Sequence, residues 1–185
     1  MLDKKKRIME IAVNKKALEF GRFTLTSGQQ SPYYFDGRKL TLDGEASNLI
    51  AEIFLPKIID SGSEFIAGPT MGADPIIGSV LSLSFIKKTP LSGLIIRKEA
   101  KLHGKQNLIE GNPVPGKSVV VVDDTCSTGG SLIHSIEAVE KFGCKVSLVL
   151  CILDRNMGGS RKIQDAGHKF LSIFSTNQNG DLYIN

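Results

Sequence analysis

The chain has 185 residues, of which 41% are hydrophobic, and a formal net charge of +4, which predicts a single domain with a substantial core. It has no apolar segment long enough to span a membrane, no signal-peptide core, and three cysteines without disulfide or zinc spacing, so we expect a cytoplasmic protein. Its basic residues are spread along the sequence, and a basic balance fits a nucleic-acid partner and an enzyme of polyanionic substrates equally well. We expect the enzyme, with no nucleic-acid partner.

The first part of the chain predicts a helix, a β-rich segment and a second helix. Apolar residues at helical spacing predict a helix over 4–20 that ends at Gly21. Alternating and turn-rich residues over 22–42 predict a β-hairpin or an extended hood. Asp43 is the expected N-cap of the next helix, which Pro56 should kink or end.

The rest of the chain alternates predicted strands with predicted helices. Strands are expected over 65–67, 93–96, 119–122 and 146–153. Helices are expected over about 74–87 and after residue 131, and a polar loop is expected between residue 96 and residue 112. This alternation predicts an α/β fold with a mostly parallel central sheet, flanked by helices and connected by right-handed crossovers. The expected division is a small N-terminal hood over residues 1–42, lying on the carboxyl edge of a core over 43–175.

The segment 119–131 carries the strongest functional signal. Its four consecutive valines predict a strand buried on both faces, and Asp123 and Asp124 follow at the carboxyl end, where open α/β sheets bind ligands. Small residues and Gly129-Gly130 then lead into a helix, whose free N–H groups favour an anion. Each feature alone is common in structural turns, but their ordered combination describes a site for a sugar phosphate.

This segment resembles the motif of type I phosphoribosyltransferases, which bind 5-phosphoribosyl-1-pyrophosphate (PRPP). Three further segments, 23–36, 97–104 and 153–155, resemble the orotate phosphoribosyltransferase family in particular. The resemblance runs from about residue 17 to 159. It implies the type I phosphoribosyltransferase fold and transfer of the 5-phosphoribosyl group of PRPP to orotate, giving orotidine 5′-monophosphate and pyrophosphate in de novo pyrimidine biosynthesis.

The segment 97–104 is the most discriminating part of the resemblance. It places four cationic or titratable side chains, Arg97, Lys98, Lys101 and His103, within seven residues, which an anion such as pyrophosphate would compensate. Gly104 and the polar residues after it predict a mobile lid. In the family this loop reaches the neighbouring subunit, so the resemblance implies a homodimer in which residues 97–112 act in trans.

The resemblance also implies roles for individual residues. Lys101, Asp123 and Asp124 are the expected catalytic residues, and Mg²⁺ is the expected cofactor, held through PRPP and water without direct protein ligands. The expected orotate contacts are Tyr34, Phe35, Ser127 and Arg155, with the Arg155 fork suited to a carboxylate. The expected PRPP contacts are Arg97, Lys98, Lys101, His103, Asp123, Asp124, Thr125, Cys126, Ser127, Thr128, Gly129, Gly130 and Ser131. Within that loop, Cys126 is expected to fill space rather than act as a nucleophile.

Two positions depart from the family pattern. Many relatives carry a lysine where Thr26 stands, and another in the segment that is Thr70-Met71-Gly72 here. Both lysines would touch PRPP phosphates, so the resemblance does not carry those two lysine contacts over to this chain. A purine phosphoribosyltransferase and a non-catalytic PRPP-sensing regulator stay open as alternatives, although the first lacks a purine-specific hood and the second needs no cationic loop.

A second phosphate-binding pattern is a decoy. Residues 111–118 match G-x-x-x-x-G-K-[ST], which binds nucleotide phosphates only after a strand and at the start of a helix. Here the pattern precedes the predicted strand, and Pro113 and Pro115 lack the N–H donors that such a loop requires. We therefore predict a turn that leads into the strand.

Overall fold

The structure is a computed structural model that describes residues 1–24, 30–99, 108–177 and 180–185. Helices and strands alternate along most of this chain. In order they are α1 Leu2–Asn14, β1 Leu18–Thr24, β2 Gln30–Phe35, α2 Arg38–Thr41, α3 Gly44–Asp60, β3 Phe65–Pro69, α4 Asp74–Ile86, β4 Ser92–Ile96, β5 Ile109–Glu110, β6 Ser118–Cys126, α5 Gly130–Lys141, β7 Lys145–Asp154, α6 Gly159–Asp165, β8 Phe170–Thr176 and β9 Leu182–Ile184.

Seven of the strands form one sheet in the order β5-β4-β3-β6-β7-β8-β9. The five inner strands are parallel, whereas the short edge strands β5 and β9 are antiparallel to their neighbours. The predicted α/β fold with a mostly parallel sheet is therefore confirmed. β6 lies at the centre, so the carboxyl end of the strand with the functional signal opens at the middle of the sheet edge.

Helices cover both faces of this sheet. Val120 and Val122 on β6 pack in an apolar cluster with residues of α1, α3 and α4. Val121, which points to the opposite face, packs with residues of α5 and α6. All four valines of β6 are fully buried, as the run of β-branched residues predicted.

The N-terminal helix is shorter than the sequence predicted. α1 ends at Asn14, Lys16 takes a positive φ of 52°, and β1 starts at Leu18. The prediction of helix over 15–20 is wrong because β1 pairs with β2 in an antiparallel hairpin. Leu18 continues the helical spacing of apolar residues, but the strand pairing decides the structure at this position. The predicted hairpin is confirmed, although Arg38–Thr41 within the same segment is a short helix.

Asp43 caps α3 as predicted, since its carboxylate accepts a hydrogen bond from the Ala46 N–H at 3.0 Å. Of the two outcomes expected at Pro56, a kink or an end of the helix, the second is wrong, because α3 continues to Asp60. Phe54 and Ile58 on either side of the proline are almost fully buried. Their burial stabilises the helix across the one backbone hydrogen bond that proline cannot make.

Three further outcomes concern the connections. The polar segment before residue 112 contains the short strand β5, which the sequence did not predict. The decoy pattern over 111–118 forms a turn, closed by a 3.2 Å hydrogen bond from the Lys117 N–H to the Val114 carbonyl, and leads into β6 as expected. Within the described ranges, no helix is both long and apolar enough to cross a membrane.

Candidate active site

The centre of the site is a pair of carboxylates on β6. The strand continues to Cys126, so Asp123 and Asp124 lie among the last residues of the strand rather than after its end. Asp123 is only 6% exposed, and its Oδ1 accepts the Asp124 N–H at 2.9 Å. A β-carbon at Gly72 would lie 2.6 Å from Asp123 Oδ1, and one at Gly37 would lie 2.6 Å from Asp124 Oδ2. The two glycines therefore let their loops approach the carboxylates closely.

Burial makes these carboxylates unusual acids. Burial raises the pKa of Asp123, and the neighbouring charge of Asp124 raises the same pKa further. Burial also raises the pKa of Asp124. Two carboxylates at this edge favour a ligand that brings hydroxyl donors or positive charge, because either offsets the cost of holding negative charge away from water.

A cavity of about 390 Å³ opens over the pair. Its wall combines acidic and basic side chains with backbone from the two glycine loops. The residues that line it are Tyr34, Phe35, Asp36, Gly37, Arg38, Pro69, Thr70, Met71, Gly72, Lys98, Asp123, Asp124 and Ser131. This mixture suits a ligand that has both hydroxyl groups and anionic groups.

The start of α5 forms a second cavity of about 200 Å³ next to the first. Gly129 is the helix N-cap with a left-handed φ of 84°, and no side chain caps the first turn. The lining residues are Thr125, Ser127, Thr128, Gly129, Gly130, Ser131 and Leu132. Free N–H groups at the positive end of a helix of 12 residues, with hydroxyl donors around them, suit a phosphate.

Cys126 belongs to this loop but not to the wall of its cavity. The side chain is 1% exposed, and burial raises the pKa of its thiol to about 12. A β-carbon at Gly159 would lie 2.8 Å from its Sγ, so the thiol fills the space between the loop and α6. A thiol with this pKa stays protonated near neutral pH and is a poor nucleophile.

A third cavity, of about 610 Å³, lies beside the α5 loop and is bordered by Arg155. Arg155 Nη2 donates a 3.1 Å hydrogen bond to the Phe35 carbonyl, and its Cζ lies 5.6 Å from the centre of the Tyr33 ring. The guanidinium is therefore held by the hairpin at the cavity wall. The wall consists of Gln30, Ser31, Pro32, Tyr33, Thr128, Arg155, Asn156, Met157, Thr176, Asn177 and Gly180.

The four expected base contacts are distributed over all three cavities. Arg155 lines the 610 Å³ cavity, Ser127 lines the loop cavity, and Tyr34 lines the cavity over the carboxylates. Phe35 is 7% exposed and packs in the core, so its contribution at Arg155 is the backbone carbonyl. Their roles as orotate contacts stay predictions.

The expected lid lies partly in the described chain. Arg97 Nη1 is 3.3 Å from a carboxylate oxygen of Glu110, at the pairing of β4 with β5, and Lys98 lines the cavity over the carboxylates. Lys101 and His103 lie outside the described residues, as does Thr26. Met71 is 66% exposed at the rim of the same cavity and adds no charge there.

Sequence reasoning missed several wall residues. Tyr33 and Thr176 share the 610 Å³ cavity, where the Tyr33 hydroxyl is 3.2 Å from Thr176 Oγ1. Alternation along β2 was the available signal for Tyr33, since Ser31, Tyr33 and Phe35 are its buried residues. Thr176 had no such signal, because it comes from β8, which the sequence analysis did not resolve.

The described residues contain no cluster of three or more His, Cys, Asp or Glu side chains arranged to hold a metal ion. The pair Asp123 and Asp124 nevertheless offers the hard oxygen donors that Mg²⁺ prefers. These residues therefore fit Mg²⁺ only when a ligand and water supply the other oxygens.

Comparison with known proteins agrees with this geometry. The phosphoribosyl transferase domain family matches residues 45–178. The orotate phosphoribosyltransferase of Streptomyces coelicolor is 40% identical over 169 residues, which cover 91% of this chain and 93% of that protein. The enzyme of the same name from Bradyrhizobium diazoefficiens is 36% identical over 176 residues, covering 93% and 94% of the two chains.

A solved structure is also similar. The orotate phosphoribosyltransferase of Mycobacterium tuberculosis in complex with PRPP superposes with a TM-score of 0.77 at 30% identity. The match covers 93% of this chain and 96% of that chain. Nearly the whole of both chains therefore shares one architecture.

Proposed function

This chain belongs to the orotate phosphoribosyltransferase family, and from that membership and its site we propose that it transfers the 5-phosphoribosyl group of PRPP to orotate. The products are orotidine 5′-monophosphate and pyrophosphate, in de novo pyrimidine biosynthesis. The observation that carries the proposal is a row of three adjoining cavities. They offer a helix start that can bind an anion, a pair of carboxylates and a chamber lined by an arginine.

The first two cavities account for PRPP. The N–H groups and hydroxyls of the loop before α5 bind the 5-phosphate, and Asp123 and Asp124 accept hydrogen bonds from the ribose 2- and 3-hydroxyls. As pyrophosphate leaves, positive charge develops at the ribose C1. The buried carboxylates stabilise that charge more effectively than carboxylates in water, because the site screens them less.

The third cavity accounts for the base. Arg155 presents its guanidinium at the wall, and a guanidinium fork binds a carboxylate such as that of orotate with two parallel hydrogen bonds. Since the Phe35 carbonyl and the Tyr33 ring hold Arg155, its orientation is set before the base arrives. The orotate ring nitrogen then attacks C1 on the face opposite to pyrophosphate.

Cations stabilise the leaving pyrophosphate. Lys98 lines the cavity over the carboxylates, and we propose that Arg97, Lys101 and His103 complete the set when the lid closes and excludes water. Asp123 and Asp124 would help to hold Mg²⁺ through water beside PRPP, and the ion would supply charge neutralisation for the leaving group. The reaction requires no covalent nucleophile.

The alternatives raised by the sequence receive less support. A purine base has no carboxylate to match Arg155 at the cavity wall, and a regulator would not need a chamber for a base beside the PRPP site. The matched curated relatives named above are orotate enzymes, whose acceptor has the required carboxylate.

We further propose a cytoplasmic homodimer in which the loop over residues 97–112 of one subunit closes the site of its partner. The support is the family membership. A two-fold dimer would give both sites the same lid.

Replacing Arg155 by Ala tests the proposed function. Wild-type protein is expected to form orotidine 5′-monophosphate, and R155A should raise the KM for orotate at least about tenfold because a charge-assisted hydrogen-bond pair is lost. The KM for PRPP should change little. Steady-state kinetics with each substrate varied in turn measure both constants.

Arg161 provides the control, since it lies on α6, is 86% exposed and forms an ion pair with Asp165 at 3.8 Å. R161A is expected to behave like the wild type. Equal increases in the KM for orotate and the KM for PRPP in R155A would show that Arg155 does not bind the base. If the wild type formed no product, the proposed function would be wrong.

A further inference from the structure

Arg38 lines the cavity over the carboxylates, yet neither the sequence motifs nor the expected contacts include it. It is the first residue of α2, which follows the β2 strand of the hairpin after Asp36 and Gly37. Its Nε lies 3.1 Å and its Nη2 3.5 Å from the two carboxylate oxygens of Asp36, which therefore orients the side chain. Within the described chain Nη1 is not engaged, and the side chain is 51% exposed.

An anionic substrate finds few cationic partners on the described wall of this cavity. Its described wall contains three carboxylates, Asp36, Asp123 and Asp124, against two permanent cations, Arg38 and Lys98. A substrate with a pyrophosphate group adds more negative charge to the same space. Arg38 and Asp124 line the same cavity, so the guanidinium shares the wall of the proposed ribose site.

The segment Thr70-Met71-Gly72 adds no cation to the wall of this cavity. The three residues line it with a hydroxyl, an exposed thioether side chain and backbone. A cationic contact that one part of the wall does not supply can come from another part, provided that the side chain is long and already oriented. Arg38 meets both conditions.

We propose that Arg38 binds the pyrophosphate group of PRPP and supplies the cationic contact that the segment Thr70-Met71-Gly72 lacks. This inference rests on the proposed function, because it requires PRPP in the cavity over the carboxylates. Arginine suits the role since its remaining donors form a fork that matches phosphate oxygens while Asp36 holds the other edge.

The test is direct binding of PRPP, measured by titration calorimetry with Mg²⁺ present and without orotate. R38A is expected to weaken binding about tenfold or more, because a charge-assisted contact is lost. R38K keeps the charge but not the fork, so it should weaken binding by a smaller factor. R38Q serves as a second neutral variant should R38A fail to fold.

Lys39 gives a matched control. It is the next residue, exposed, and its Nζ donates to the Lys16 carbonyl at 2.8 Å, away from the cavity. K39A should bind PRPP within about twofold of the wild type. R38A should also show a raised KM for PRPP with little change in the KM for orotate, a split that loss of α2 structure alone would not produce.

The outcomes separate the two claims. Weak binding by R38A and R38Q, intermediate binding by R38K and normal binding by K39A would support the inference. Binding of PRPP by folded R38A or R38Q as tight as that of K39A would overturn it while leaving the proposed function intact. Failure of the wild type to bind PRPP would overturn both.

Discussion

Replacing Asp123 and Asp124 together by Asn is expected to reduce kcat/KM by at least about 100-fold, or roughly 2.7 kcal/mol of transition-state stabilisation. The two carboxylates lie at the floor of the cavity over β6 and face the ribose in the proposed complex. Asn preserves the shape and one acceptor oxygen but removes the charge that stabilises the developing positive centre. Initial rates of orotidine 5′-monophosphate formation give the ratio.

The double variant should remain folded. Because burial raises the pKa of Asp123 and of Asp124, the folded protein binds protons more tightly than the unfolded chain does. Stability therefore falls as pH rises from the unfolded pKa through the folded pKa, and at neutral pH the charges cost stability. Asn removes this cost, so the Tm of the double variant should equal or exceed that of the wild type.

Asp165 supplies the control for charge removal, since it is 72% exposed on α6. D165N is expected to keep wild-type activity. If the folded double variant kept more than about a tenth of the wild-type kcat/KM, a loss below roughly 1.4 kcal/mol, the carboxylates would not be catalytic.

The second large effect concerns the lid. K101A and R155A homodimers should each lose most of their activity. K101A removes a cation of the lid, at a residue outside the described chain, and R155A changes the base cavity. In an equal mixture that exchanges subunits, about half of the dimers are heterodimers. In each heterodimer the R155A subunit supplies an intact lid, which covers the intact base pocket of the K101A subunit. Activity should then recover towards about a quarter of the wild-type value.

Subunit exchange has to be shown independently, for example with two differently tagged chains recovered in one dimer. Mixed K101A and K101A/R155A chains form the control, because no combination of them restores a complete site. An exchanged mixture of the single variants that stays inactive would mean that the loop closes over its own subunit.

The centre of the site could be predicted because its parts are contiguous. Four valines, two aspartates, a small-residue loop and a glycine pair form one strand, one turn and one helix start, and local rules describe each of them. The parallel sheet followed from the same valine run, since only a strand covered on both faces buries such a sequence.

The walls of the site could not be predicted in the same way. Arg38 and Tyr33 reach their cavities because the hairpin and α2 fold over the sheet. The alternation along β2 marks Tyr33 as buried, but it does not say which cavity the residue lines. The end of α1 was misplaced for a related reason, since Leu18 fits a helix until β2 is available as a partner. Short edge strands such as β5 are likewise defined by their neighbours rather than by their own residues.

The most direct test of the proposed activity is a base panel. The wild-type protein is incubated with PRPP, Mg²⁺ and, separately, orotate, uracil, adenine, hypoxanthine and guanine, and nucleotide and pyrophosphate are measured together. We expect rapid turnover of orotate and little of the other bases, because only orotate offers a carboxylate to the Arg155 guanidinium at the cavity wall. Faster consumption of adenine or hypoxanthine than of orotate would contradict the assignment.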